Sequence, residues 1–247
     1  MSETVRENQT WADAALHFIF PEVCQLCTEQ RATAAEGYVC AECWRGVRFI
    51  RPPFCERCGL PFDGAITTQF DCTNCGEMDL HFSYARSAVA AKTVTLEVIH
   101  RFKYLQARWF EPFLADLLIR EAKPVLAQSK WDFIAPVPLH SVKFRERGFN
   151  QAESLAQRLS AATGIPLHTK LLRRTAATLT QTRLSRDERA DNVHRAFAAA
   201  PGVALHGERI VLVDDVFTTG ATTNACARAL KRAGASEVCV WTVARGL

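Results

Sequence analysis

Two adjacent carboxylates, Asp214 and Asp215, close an apolar run and open a Thr/Gly-rich turn in the stretch Ile210-Val-Leu-Val-Asp-Asp-Val-Phe-Thr-Thr-Gly-Ala-Thr-Thr223. The apolar residues before them read as a strand buried on both faces. The turn, with Thr218, Thr219, Gly220, Ala221 and Thr222, brings hydroxyls and backbone N–H groups to the start of a helix-like run, Asn224 to Arg232. There the helix dipole and unpaired donors favour a phosphate, and Gly220 lets the backbone approach it without a Cβ clash. Open α/β sheets place ligands at the carboxyl ends of their strands. Paired carboxylates beside such a cradle suit a sugar diol, or the Mg²⁺ that accompanies a polyphosphate. The Gly-x4-Gly-Lys-Ser/Thr spacing of a Walker A loop is missing.

A second chemistry lies upstream. Eight of the ten cysteines form four Cys-x-x-Cys pairs before residue 76: Cys24/Cys27, Cys40/Cys43, Cys55/Cys58 and Cys72/Cys75. Two thiolates so spaced fold back onto one tetrahedral ion, and two pairs complete a Cys₄ site. The simplest reading is two successive zinc ribbons, one Zn²⁺ for the first two pairs and one for the last two; spacing alone leaves a cross-braced pairing open. The metal is expected to be structural, because so short and loop-rich a segment cannot bury enough core to fold alone. Cys226 and Cys239 are expected as small buried hydrophobes in the last helix and strand.

The elements that must position these groups follow from periodicity. Trp11 to Phe20 has helical apolar spacing, and Phe82 to Ala91 reads as a strand entering a second domain, so the chain divides into 1–84, helix plus ribbons, and 85–247. Leu96, Ile99, His100 and Lys103 share a helix face; Phe113, Leu114, Leu117 and Leu118 mark the next helix, which Lys123-Pro124 is expected to close. Asp132 to Leu139 is a strand ended by two prolines. A helix to about Thr163, a short strand over Leu167 to Leu172 and a long polar loop over Thr175 to Asn192 come next. After a Pro201-Gly202 turn come the acid-bearing strand, its helix capped by Gly234, and a last strand over Val238 to Val243. Strand–helix–strand repetition indicates an α/β domain, a mostly parallel sheet with helices on both faces.

Composition is that of an ordinary globular protein, 48% hydrophobic and 23% charged over 247 residues. No apolar run approaches the roughly 18 residues needed to span a bilayer, and the N-terminus lacks a signal peptide's pattern, so no membrane insertion and a cytoplasmic location are expected. Segment 137–195 holds eleven Lys/Arg and five Asp/Glu, a surplus of +6 in a chain whose total is only +4. That surplus should border the phosphate cradle, where it would attract a polyanion.

The acid pair with its Thr/Gly turn resembles the fingerprint by which type I phosphoribosyltransferases bind 5-phosphoribosyl-1-pyrophosphate (PRPP). The wider chain resembles the ComF family of competence-associated proteins, which joins a zinc ribbon module to a phosphoribosyltransferase-like domain. That likeness rests on the cysteine pairs, Ile99-His-Arg-Phe-Lys-Tyr104, Pro136-Val-Pro-Leu139, Arg147-Gly-Phe-Asn-Gln-Ala152, the 181–197 segment and Ile210 to Thr223. The resemblance implies that Asp214 and Asp215 hold the ribose hydroxyls and that Thr218, Thr219, Gly220, Ala221 and Thr222 hold the 5′-phosphate. It also implies that Pro138, Leu139 and His140 lie on the pyrophosphate side with Arg101 and Lys103, and that 175–192 is a flexible hood. Ala91-Lys-Thr-Val94 departs from the family pattern, which carries an aromatic residue and a glycine there.

Three functions compete. The first is Mg²⁺–PRPP binding with phosphoribosyl transfer to an acceptor. The second is single-stranded-DNA handling linked to DNA uptake, with basic loops along the backbone and aromatic residues stacked on bases. The third is a scaffold whose ribbons hold a helicase-like competence protein.

Overall fold

The computed structural model describes residues 22–62, 64, 72–175 and 196–247. The helix expected over Trp11 to Phe20 and nearly all of the expected 175–192 loop lie outside the described residues. Four parallel strands form the sheet: β1 (Ala85–Ala90), β2 (Phe133–Pro136), β5 (Arg209–Phe217) and β6 (Glu237–Arg245), in the order β1-β6-β5-β2. Two short antiparallel strands, β3 (Leu172–Arg174) and β4 (Phe197–Ala199), form a separate ribbon. The described helices are α1 (Ala41–Arg45), α2 (Thr93–Tyr104), α3 (Glu111–Leu126), α4 (Ser141–Arg147), α5 (Gln151–Thr163) and α6 (Ala221–Arg232).

Alternation along the strands divides the core in two. Val211, Val213, Cys239, Trp241 and Val243 face α2, α3 and α5, whereas Ile210, Leu212, Val238 and Val240 face α6 and the β3–β4 ribbon. A strand with both faces covered must be apolar throughout, which is why β5 and β6 show no polar alternation before the acid pair. Each fully buried Val, Leu or Ile there contributes roughly 1.5–3 kcal/mol. Each cysteine ribbon closes one face. Val39, Val47 and Trp44 pack into the α2–α3 side, and Cys55, Cys58, Cys72, Cys75 and Phe82 are part of the α6 side.

Several elements differ from their sequence reading for identifiable reasons. Helix α3 runs through Pro124 to Leu126. Proline forfeits one hydrogen bond and crowds the preceding turn, but this one lies in the final turn, where little helix remains to be disrupted. Helix α2 buries Thr95, Val98, Ile99 and Phe102 and leaves Leu96 exposed, so its inner face is rotated from the Leu96/His100 stripe. Leu167 makes only an isolated parallel bridge to Ile134, and the regular strand begins at Leu172. Strand β5 continues past the carboxylates to Phe217. Cys226 and Cys239 are fully buried.

Gly234, after α6, sits at φ +110°, and a Cβ there would lie 2.0 Å from the Leu205 carbonyl oxygen. Gly202 has a similar φ of +78° with no atom within 4 Å of its would-be Cβ. Gly202→Ala should therefore cost only the left-handed backbone penalty of about 1 kcal/mol. Gly234→Ala adds a backbone clash and should cost about 3 kcal/mol or more. Denaturant midpoints of the two variants test this; equal losses would refute the clash.

Candidate functional site

The first metal centre gathers Cys24, Cys27, Cys40 and Cys43, and the second Cys55, Cys58, Cys72 and Cys75. Across pairs, Cys24–Cys43 and Cys27–Cys40 sulfurs are 3.7 Å apart, Cys55–Cys75 3.7 Å and Cys58–Cys72 3.6 Å. A tetrahedron with Zn–S bonds of about 2.3 Å has S–S edges of about 3.8 Å, so both quartets fit Zn²⁺. The pairing is sequential, with no crossing between ribbons. Knuckle hydrogen bonds shape each turn: Thr28 N donates to Cys24 O (2.9 Å), Gly59 N to Cys55 O (2.8 Å) and Gly76 N to Cys72 O (2.7 Å). The chain thus carries two Cys₄ zinc-binding sites.

All four sheet strands are parallel, so the turns after β1, β2 and β5 open at one edge. Asp214 and Asp215 stand near that end of β5. As neighbours on a strand they leave it on opposite faces. Asp215 is 7% exposed and meets Lys103 Nζ of α2 at 2.9 Å. Asp214 turns toward α6 and β3. Burial, then the Asp215 charge, push its carboxyl up to about 7, with Lys103 acting in the opposite sense. Burial lowers the Arg174 guanidinium below its ordinary value, and the Asp214 carboxylate is near enough to oppose part of that lowering.

The turn itself is built around an aromatic ring. Gly220 is the N-cap of α6 at φ +89° and supplies no side-chain cap, so the first turn of the helix opens onto the edge. A Cβ on Gly220 would lie 2.4 Å from Phe217 Cζ, so only glycine fits against that ring. Thr218 and Thr219 are exposed and Ala221 and Thr222 partly so. Ala221 N donates to Thr219 Oγ1 (3.4 Å) and Thr223 Oγ1 to Gly220 O (3.0 Å).

The remaining predicted residues divide. Pro138, Leu139 and His140 form the partly exposed turn after β2, tied to β5 by Val137 N donating to Val213 O (2.9 Å). His140 Nδ1 caps α4 by accepting from Val142 N (3.2 Å). Residues two apart on a helix are turned by about 200°, so Arg101 and Lys103 leave α2 on opposite sides. Lys103 reaches the acid pair, while Arg101 donates to Gln25 O in the first ribbon (2.6 Å) and pairs with Glu97. The divergent Ala91–Val94 segment holds Thr93 at φ +42°, an outlier for a β-branched residue. Sequence reading missed Arg174 and Asn224. Arg174 was only one cation in a basic segment, but Asn224, a polar residue on the inner face of an otherwise apolar helix and 2% exposed, was a findable signal.

Two outcomes follow. Metal analysis of the purified protein should find two zinc ions per chain, and Cys58→Ser should reduce this to one while leaving the first centre filled; two ions in the variant would refute the assignment. Because the folded Asp214 retains its proton to about pH 7 and the unfolded chain releases it near 4, the native state binds more protons between these values. Stability contributed by this group is thus present below pH 4 and lost as pH rises through 7. Asp214→Asn keeps the oxygen that accepts from Asp215 N and should gain roughly 3 kcal/mol on wild type as pH rises from about 4.5 to 8. Parallel stability curves for the two proteins would refute the shift.

The model of the Double zinc ribbon domain matches residues 15–77, and that of the Phosphoribosyl transferase domain matches residues 123–247. Competence protein F of Haemophilus influenzae is 32% identical over 218 residues, 85% of this chain and 92% of its own. DNA utilization protein YhgH of Salmonella typhimurium is 33% identical over 230 residues, 92% of this chain and 98% of its own. Competence protein ComFC of Bacillus subtilis is 27% identical, covering 84% of each chain. With both zinc quartets closed and the acid pair at the sheet edge, the chain belongs to the ComF family, a double zinc ribbon joined to a phosphoribosyltransferase fold.

Proposed function

We propose that the carboxyl-edge site binds PRPP together with Mg²⁺. The observation that carries this reading is the Asp214–Asp215 pair near the end of β5, followed by a tight turn to the α6 N-terminus whose Gly220 is pressed on Phe217. The open first turn of α6, with the Thr218, Thr219 and Thr222 hydroxyls, suits the 5′-phosphate. Asp214 and Asp215 suit the ribose hydroxyls, and their combined charge suits a nearby divalent cation. Lys103 beside Asp215, Arg174 within electrostatic reach of Asp214, and the Pro138–His140 turn are the groups that suit the pyrophosphate. Transfer to an acceptor would then proceed by positioning and charge stabilisation: the acids fix the ribose, and these cations, with Mg²⁺ when bound, offset charge on the departing pyrophosphate. Calorimetric titration of PRPP with Mg²⁺ should give saturable binding that Asp214→Asn/Asp215→Asn loses and that ribose-5-phosphate only partly reproduces. A folded, zinc-loaded protein that takes up no PRPP would refute the reading.

A second reading, compatible with the first, is a role in handling single-stranded DNA, in line with the names of the relatives. It is favoured by an aromatic and basic surface around the α2 end and α4. Tyr104 and Phe144 are exposed at 60% and 47%, and Trp109 at 46%. Arg147 lies 5.3 Å over the Tyr104 ring, the His100 ring lies tilted against it with centroids 5.0 Å apart, and Lys143 and Arg145 are exposed. Aromatic faces for bases beside cations for phosphates are what a single strand requires, each stacked base contributing roughly 1–3 kcal/mol. Tyr104→Ala/Phe144→Ala should weaken binding of a labelled oligothymidine by about tenfold or more in fluorescence anisotropy, while Asp214→Asn/Asp215→Asn leaves it intact. Loss in the acid variant alone would place the strand elsewhere.

A further inference from the structure

We infer that the second Cys₄ centre is a positioning element for the Thr218–Thr222 turn, so that metal there and ligand at the acid-pair site stabilise each other. The inference rests on the proposed PRPP reading for the identity of that ligand, not for the linkage.

Three connections run from the second ribbon to the turn. Asn74, inside the Cys72–Cys75 knuckle, donates from Nδ2 to Thr219 O at 3.3 Å. Asn224, in the first turn of α6, accepts from His81 N (2.7 Å) and donates to Asp79 O (2.8 Å), so the chain leaving the ribbon is bonded to the helix that bears the turn. The third passes through a buried cation. Arg245 is fully buried, and its Nη2 lies 3.8 Å from Cys58 Sγ. Its guanidinium stacks on Phe217 at 4.4 Å, the ring against which Gly220 is pressed. Arg245 and Phe217 are cross-strand partners in the β5–β6 pairing, and Gly246 N donates to Phe217 O (2.8 Å).

Arg245 gives this linkage its dependence on metal. Its Nε and Nη1 have no hydrogen-bond partner among the described residues. A buried cation is tolerated only where opposite charge compensates it. Zn²⁺ with four thiolates carries a net charge of −2, which supplies that compensation beside Cys58. Without metal the quartet loses its fixed geometry, and the cation beneath Phe217 loses its counter-charge. The first centre offers an internal control, because its contacts run to the other face: Gly37 fits against Phe113, and Arg101 donates to Gln25 O.

The test uses the full zinc-loaded chain. Backbone hydrogen exchange over residues 217–224 should accelerate by about tenfold in Asn74→Ala and in Arg245→Gln, while residues 132–137 and the Arg101→Gln control exchange as in wild type. Zinc capture by a chromogenic chelator should resolve two ions, of which Arg245→Gln releases one faster; in equilibrium competition with the chelator, PRPP with Mg²⁺ should raise the affinity for that same one, by reciprocity. Wild-type exchange in the turn of both variants would overturn the inference, as would Arg245→Gln accelerating neither ion or both equally. If Arg245→Gln does not fold, Asn74→Ala, a partly exposed side chain, decides the exchange comparison alone. If PRPP does not bind wild type, the ligand reading fails, while exchange and metal release still decide the linkage.

Discussion

A parallel sheet delivers every strand to the same edge, and the order β1-β6-β5-β2 sets the turns after β2 and β5 side by side there. The apolar interior of β5 is possible because both faces are covered, and its two carboxylates come at the point where that cover ends. Adjacent strand positions force Asp214 and Asp215 onto opposite faces. Asp215 then meets Lys103 from α2, while Asp214 lies on the α6 face, within electrostatic reach of Arg174 from the β3–β4 ribbon. The electrostatic asymmetry of the pair follows from this geometry. One acid is held in a short ion pair, and the other is enclosed beside its neighbour's charge.

Much of this was legible before any coordinates. The cysteine spacing predicted two tetrahedral quartets, and the sulfur separations agree with sequential pairing. The run of apolar residues into Asp214-Asp215, followed by a Gly at the head of a helix, announced a strand–turn–helix, and β5, Gly220 and α6 form it. What periodicity could not supply was orientation. Leu96 looked like a core residue because it is apolar, yet α2 is rotated so that Thr95 lies inward. Arg101 and Lys103 looked equivalent because they are close in sequence, whereas helical geometry separates them by half a turn. Pro124 looked like a stop because its effect was judged without knowing how much helix was left.

Each ribbon completes one half of the core. The first contributes Val39, Val47 and Trp44 against the α3 side, and Trp44 meets Phe113 edge-on at 5.1 Å. The second places its cysteines and Phe82 against β5 and α6, with Phe82 edge-on to Phe217 at 6.1 Å. Small metal-bound modules lack the area to fold by burial alone, and a thin sheet lacks cover on its own. In this chain each deficiency is met by the other.

The position of β6 bears on how the protein is made. It is the last of the sheet strands in chain order, yet it lies between β1 and β5 and is the strand through which β1 joins the sheet. Its partner in β1 lies roughly 150 residues upstream, with Ala85 opposite Val240. During synthesis the cysteine quartets emerge early and need only nearby residues to close on metal. The sheet they will cover waits for the final strand, and closing so long a loop is entropically costly and slow. A nascent chain thus passes through a stage with finished metal modules and an unfinished sheet, its apolar ribbon surfaces still uncovered. Early metal loading keeps those surfaces in a fixed shape until β6 arrives to receive them.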